Sequence, residues 1–236
     1  MIIASNLKTN LTREKTISYI MDVEKFLDDT NCEQEVFVFP AMSSLNLHFG
    51  KTIQGAQNAY ATKNGAFTGE IGTEQLEEFK IKTILIGHSE RRHILGETQK
   101  SIVKKFNFYK NLGFKIIYCV GEPLEVREEG IDVMMKYLEL QYDGIDVNYK
   151  NLIIAYEPVW AIGTGLTPTL KDISNIHLKL KEKSSAPLLY GGSVKVDTAK
   201  DILESDGVDG VLVGSGALDV ENFCIMIQTA QNIETA

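Results

Sequence analysis

The chain has 236 residues and a formal net charge of −8 at pH 7. That length fits one barrel-sized domain or two small ones, and the acidic balance argues against a nucleic-acid scaffold, because phosphate backbones select faces rich in Lys and Arg. Three widely spaced cysteines without a Cys-x-x-Cys motif argue against a disulfide framework or a zinc site and favour a reduced, cytoplasmic setting.

Eight short apolar runs follow one another along the chain. They are continuous rather than alternating, which is typical of strands buried on both faces. The third run is weak, because polar residues interrupt it. The runs that predict strands are residues 2–4, 36–39, 52–56, 84–86, 116–120, 152–155, 188–190 and 211–213.

Helical patterns lie between these runs. Apolar residues recur at helical spacing within 102–109, 170–180 and 223–230, whereas the third crossover has a helical piece only at 74–79. Eight strands that alternate with helices predict an α/β fold of the (β/α)₈ barrel type, and the absence of a linker predicts a single domain over residues 1–236. A doubly wound open sheet is the alternative fold. In a barrel, chemistry is expected in the loops after the carboxyl ends of the strands.

Two basic side chains follow the first and fourth predicted strands. Lys8, after strand one, would place its ammonium group in the barrel mouth, where it could neutralise a phosphate or an oxyanion. His88, after strand four, stands at the start of a predicted helix. A helix N-terminus favours the neutral imidazole, which can donate a hydrogen bond to a carbonyl group.

A carboxylate ends the sixth predicted strand. Glu157 follows the apolar run and is followed by Pro158, by the chain's single tryptophan and by a loop with Gly163 and Gly165. A carboxylate on a rigid strand end beside a glycine-bearing loop suits a general base under a lid.

Glycine-bearing turns follow the last two predicted strands, at 191–193 and 214–216. Backbone N–H groups in such turns can hold a phosphate, and phosphate sites commonly follow strands seven and eight of barrels. Neither a metal-ligand cluster nor a dinucleotide fingerprint is present in the sequence, so we expect no metal and no cofactor. A base, a lysine, a histidine and a phosphate cradle indicate proton transfer next to a carbonyl of a phosphorylated substrate.

These segments together resemble the triosephosphate isomerase family over essentially the whole chain. The matching motifs occur in family order at residues 6–10, 57–58, 64–70, 87–92, 119–122, 155–165 and 190–193. The resemblance implies interconversion of dihydroxyacetone phosphate and D-glyceraldehyde 3-phosphate in glycolysis and gluconeogenesis. It makes Glu157 the base, His88 the group that polarises the carbonyl, and Lys8 the cation that stabilises the enediolate and the phosphate.

The resemblance also implies the supporting residues. Asn6 would border the oxyanion site, and Glu90 would position Lys8. Backbone N–H groups would bind the phosphate at Gly163, Ser193, Gly214 and Ser215. The family forms homodimers in which the loop after strand three docks into the partner subunit. Phe67 and Thr68 are therefore expected at a dimer interface.

The chain departs from the family pattern at three places: beside Lys8, in the phosphate turn and at the end of the lid. Leu7 and Thr9 replace the usual Trp and Met around Lys8, and Ser215 replaces the second glycine of the phosphate turn. The lid ends at Pro168, which should stiffen that hinge.

Two other functions remain open. One is a barrel that acts on another phosphorylated ligand, such as an aldolase, although the lysine on strands five to seven, Lys115, lies at the wrong end of its strand. The other is a non-catalytic phosphate-binding module, against which the intact Glu157, His88 and Lys8 argue. The net charge opposes a nucleic-acid partner, and no secretory leader or membrane span is expected.

Overall fold

The computed structural model describes residues 1–162 and 166–235. Within them, eight parallel strands form a barrel in the order β3-β2-β1-β8-β7-β6-β5-β4. The barrel closes between the first and last strands of this order, β3 and β4, through Ala56 just after β3. The Ala56 N–H donates to the Thr83 carbonyl, and the Ala56 carbonyl accepts from the Leu85 N–H, both at 2.9 Å. The strands are β1 (Ile2–Asn6), β2 (Glu35–Phe39), β3 (Ile53–Gln54), β4 (Thr83–Ile86), β5 (Lys115–Val120), β6 (Leu152–Tyr156), β7 (Leu188–Tyr190) and β8 (Gly210–Val213).

The helices surround the barrel and connect consecutive strands. They are α1 (Arg13–Asp29), α2 (Thr73–Glu78), α3 (Ser89–His93), α4 (Gln99–Asn111), α5 (Leu124–Glu128), α6 (Ile131–Gln141), α7 (Leu170–Lys181), α8 (Val196–Leu203) and α9 (Val220–Glu234). The predicted (β/α)₈ barrel is thus confirmed, and the open sheet is excluded. The part of the chain that the structure describes contains no helix with the length and hydropathy that a bilayer crossing requires.

The weak third strand is shorter than its five-residue run. Regular pairing covers Ile53 and Gln54 and continues only through Ala56. Gly55 lies between them, where a Cβ atom would stand 2.2 Å from the Phe39 ring, so the chain passes that ring too closely for a side chain.

Alternation along the strands creates two apolar layers. One side of each strand packs against the helices, and the other fills the barrel interior. Ile153 and Ala155 point inward, as do Ile2 and Ala4. Because successive side chains alternate between faces, the same inward rows reach Asn6 and Glu157 at the carboxyl ends of β1 and β6. The strand period therefore places two polar residues at the barrel mouth.

Candidate active site

Glu157 stands at the carboxyl end of β6 and is only 1% exposed. Its Oε2 accepts a hydrogen bond from the Ser89 N–H at 3.0 Å, and its Oε1 lies 3.2 Å from His88 Nε2. Gly191 permits this placement, since a Cβ atom there would lie 2.8 Å from Glu157 Cγ. The carboxylate is thus buried and held in a defined position, as the predicted role of a general base requires.

His88 caps the N-terminus of α3. Its Nδ1 accepts a hydrogen bond from the Glu90 N–H at 3.3 Å, so Nδ1 carries no proton. The remaining ring proton lies on Nε2, which faces Glu157. The local fold thus makes Nδ1 the acceptor and directs the Nε2 donor at Glu157.

Lys8 has a left-handed backbone, with φ of 53°. Such a conformation costs a non-glycine residue about 1–3 kcal/mol and persists only when neighbouring contacts impose it. Here Asn6 Oδ1 accepts from the Lys8 N–H at 3.1 Å, and Gln57 Nε2 donates to the Lys8 carbonyl at 2.8 Å. The Lys8 Nζ lies 2.6 Å from Glu90 Oε1. These backbone hydrogen bonds and the ion pair together hold the Lys8 ammonium group at the barrel mouth.

A cavity of about 360 Å³ opens between these side chains and the turns after β7 and β8. Among the described residues, the N–H groups of Ser193 and Ser215 donate to no protein acceptor. Ser215 begins a 3₁₀ turn, Ser215–Ala217, without a positive φ, so serine fits this departure from the family pattern. Gly214 allows the Lys8 side chain to pack closely against the turn, since a Cβ atom at Gly214 would lie 3.3 Å from Lys8 Cε. Gly163, also predicted to bind phosphate, lies outside the described residues.

Glu122 anchors the segment that leads from Glu157 toward the lid. Its Oε1 accepts from the Tyr156 hydroxyl at 3.0 Å and from Trp160 Nε1 at 2.9 Å. Burial raises the pKa of Glu122 above its ordinary value, although these hydrogen bonds act in the opposite direction. The start of the loop after β6, which was predicted to be a lid, is thus tied to the loop after β5.

Two residues at the site were missed by the sequence analysis. Ser89 lies in the motif at residues 87–92, but no role was predicted for it; its backbone N–H donates a hydrogen bond to the Glu157 carboxylate. Lys195 lines the cavity two residues beyond Ser193, at the N-cap of α8. Only its spacing from the glycine turn could have indicated it, and a surface lysine has the same sequence signature.

A second cavity, of about 520 Å³, shares Asn6, Lys8 and His88 with the first, and Asn10 also lines it. Ile94 and Leu95 at its edge are 75% and 65% exposed. On the loop after β3, Phe67 is 41% exposed and packs against Tyr60 at a tilt of 38°, with ring centroids 4.5 Å apart. A protruding aromatic and an open apolar recess therefore occur on the same chain.

Comparison with known proteins agrees with this geometry. The sequence profile described as triosephosphate isomerase matches residues 1–230. The triosephosphate isomerase of Sulfurimonas denitrificans is 70% identical over 234 residues, which cover 99% of this chain and 98% of the relative. Those of Sulfurovum sp. (strain NBC37-1) and Wolinella succinogenes are 53% and 51% identical, over 96% and 97% of this chain and 99% of each relative. The barrel topology, the buried carboxylate in contact with a histidine and the matches over almost the whole chain lead to one conclusion: the chain belongs to the triosephosphate isomerase family.

Proposed function

We propose that the chain interconverts dihydroxyacetone phosphate and D-glyceraldehyde 3-phosphate, the reaction of its family, and that Glu157, His88 and Lys8 carry it. The observation that supports this most directly is the contact of Glu157 with His88 Nε2 in a cavity that is also lined by Ser193 and Ser215, whose backbone N–H groups have no acceptor among the described residues. We further propose that residues 1–236 form one domain, that the protein is cytoplasmic and serves glycolysis and gluconeogenesis, and that it needs no cofactor.

In the proposed reaction two protons move. Glu157 removes a proton from the carbon next to the carbonyl and returns it to the former carbonyl carbon. Negative charge develops on the carbonyl oxygen, where the His88 Nε2–H donates and the Lys8 ammonium stabilises it electrostatically. His88 gives its Nε2 proton to this oxygen and takes up the proton of the neighbouring hydroxyl group, so that carbonyl and hydroxyl exchange places and the imidazole is restored. Asn6 borders the same oxygen and fixes the Lys8 backbone. The N–H groups of Ser193, Gly214 and Ser215, with Gly163 of the lid, hold the phosphate.

The phosphate sets the distance between the substrate's reactive carbons and the base. Its cradle lies on the turns after β7 and β8, whereas Glu157 follows β6 and His88 follows β4. A triose phosphate anchored at one side of the 360 Å³ cavity therefore presents its carbonyl end to the other side. An unphosphorylated triose lacks this anchor and is expected to react far more slowly.

We also propose a homodimer in which the loop around Phe67 and Thr68 enters the second cavity of the partner subunit. The loop presents a half-exposed aromatic ring, and the recess presents Ile94 and Leu95. Such a pair of complementary features is used twice across a two-fold axis. Since the recess is also lined by Lys8 and Asn10, docking would support the Lys8 side of the active site.

The experiment that tests the proposed function compares Glu157→Gln with the matched surface change Glu182→Gln in a coupled assay with glyceraldehyde 3-phosphate. Glutamine keeps the size and the hydrogen bond to Ser89 but cannot take the proton. We expect kcat of Glu157→Gln to fall at least ~10²-fold and Glu182→Gln to keep wild-type activity. An inactive wild-type protein would refute the isomerase assignment. Full activity of Glu157→Gln would refute the proposal that Glu157 is the general base. Turnover of a fructose bisphosphate would instead indicate an aldolase.

A further inference from the structure

Lys195 is a cation at the cavity that the reaction described above does not use. It caps α8, its side chain is exposed, and it lines the same cavity as Ser193 and Ser215. Among the described residues its ammonium group takes part in no ion pair and no hydrogen bond. Its backbone is engaged at the start of the helix: the N–H donates to Thr198 Oγ1 at 3.1 Å, and the carbonyl accepts from the Ala199 N–H at 2.9 Å. The ammonium group is therefore free to face an incoming anion.

The other charged groups at the site oppose an incoming anion. Lys8 is paired with Glu90 at 2.6 Å, and Glu157 adds a further carboxylate to the cavity. Without Lys195, these three groups leave the site with one net negative charge, on a protein whose formal net charge is −8. A phosphorylated substrate carries negative charge as well, so its approach is opposed both at long range and at the mouth.

We propose that Lys195 captures the substrate's phosphate group at the rim of the cavity and delivers it to the backbone donors of Ser193 and Ser215. This inference rests on the proposed function, because it takes a phosphorylated triose as the ligand. Lys195 is a binding and steering residue: it accelerates the encounter and strengthens phosphate affinity, and it takes no part in the proton transfer.

The position of Lys195 suits this role physically. A flexible four-carbon stem carries a point charge that can follow an anion from the rim inward. The charge stands at the N-terminus of α8, where the helix dipole also favours an anion. The backbone hydrogen bond to Thr198 is available to any residue, so replacing the side chain leaves the start of the helix intact.

The test compares Lys195→Gln with Lys200→Gln. Lys200 is exposed on the same helix, and its Nζ lies 3.9 Å from Glu204 Oε1. It is not among the described residues that line the cavity. Steady-state kinetics with glyceraldehyde 3-phosphate are measured at ionic strengths of about 0.01 M and about 0.15 M, where the Debye length falls from about 30 Å to about 8 Å. The affinity for inorganic phosphate is measured in parallel by isothermal titration calorimetry, which needs no turnover.

We expect Lys195→Gln to lower kcat/KM about fivefold at the lower ionic strength and to change kcat less than about twofold. The deficit shrinks at the higher ionic strength, phosphate affinity falls by a similar factor, and Lys195→Arg restores both. Lys200→Gln behaves as the wild type.

The outcomes separate the two proposals. A wild-type protein without isomerase activity refutes the proposed function, while its phosphate titration still decides whether Lys195 binds the anion. Equal kinetics and equal phosphate affinity of Lys195→Gln and Lys200→Gln overturn the role of Lys195. Loss of kcat at unchanged phosphate affinity, or failure of arginine to restore either quantity, also overturns it.

Discussion

The carboxylate of Glu157 contacts the imidazole of His88 directly, with Oε1 3.2 Å from Nε2. Since Nδ1 accepts from the Glu90 N–H, the Nε2 proton is the one shared with the base. In the proposed reaction, the substrate replaces this contact: its carbonyl oxygen accepts from the Nε2–H, and the Glu157 carboxylate accepts its carbon-bound proton. The proposed base and the proposed electrophile thus bind each other in the structure, and substrate binding would separate them.

The first prediction concerns His88. In His88→Gln the side chain loses the ring that is fixed between the Glu90 N–H and the carbonyl, so polarisation of the carbonyl is lost. We expect kcat to fall about 10²-fold or more, with a much smaller change in KM. The matched control is His93→Gln, an exposed histidine on the same helix, which should retain kcat. Coupled assays of both variants decide it, and comparable kcat values for the two would contradict the role of His88.

The second prediction concerns Lys8. Lys8→Met removes the ammonium group and leaves Glu90 without the cation 2.6 Å away. A charged hydrogen bond contributes about 1.5–3 kcal/mol, so we expect KM to rise about 10-fold or more and kcat to fall as well. Lys15→Met, an exposed change on α1, is the control. An unchanged KM for the phosphorylated triose in Lys8→Met would remove Lys8 from the site.

The third prediction concerns the loop after β3. Replacing Phe67-Thr68 by Gly-Asp removes the half-exposed ring and adds a charge, so the proposed dimer should dissociate and kcat should fall about 10-fold or more as Lys8 loses support. Analytical ultracentrifugation and the isomerase assay are carried out on the same samples. The control is Phe49→Gly, another exposed aromatic, which lies against Lys80 and does not line either cavity at the barrel mouth. A fully active monomer, mutant or wild type, would contradict the role of the loop.

The fourth prediction concerns acid stability and rests on His177 of α7. The side chain is fully buried between Tyr156 and Tyr190, with Nδ1 3.2 Å from the Gly207 carbonyl. Burial lowers the pKa of His177 from 6.5 to about 4. Between these values the unfolded chain binds the extra proton, so the free energy of unfolding decreases as the pH falls from about 6.5 to about 4, by up to about 3 kcal/mol.

His177→Asn keeps a donor near the Gly207 carbonyl and removes the titration. We expect it to be less stable than the wild type at pH 7, and the difference to shrink as the pH falls toward 4. Urea unfolding followed by circular dichroism at several pH values measures this, and the titration of all other groups cancels in the comparison. A stability difference that stays constant from pH 7 to pH 4 would rule out His177 as the source.

The sequence by itself determined the barrel, and it predicted which polar side chains lie at the barrel mouth. Continuous apolar runs that alternate with helical patterns predicted strands buried on both faces, and the period of two carries Asn6 and Glu157 inward from the barrel rows. The glycines after β7 and β8 were also recognisable locally, because they suit the geometry of tight turns. The histidine at the start of α3 was recognisable because it stands at a helix-capping position. Local patterns therefore sufficed wherever one segment of chain imposes its own conformation.

The tertiary structure alone decided how these groups are held and what charge surrounds them. The Ser89 N–H reaches Glu157 across 68 residues of chain, and Gln57 fixes the strained Lys8 backbone across 49. Lys195 joined the cavity only because the turns after β7 and β8 lie side by side at the barrel mouth. Such contacts depend on distances between segments remote in sequence, and no local periodicity or spacing encodes those distances.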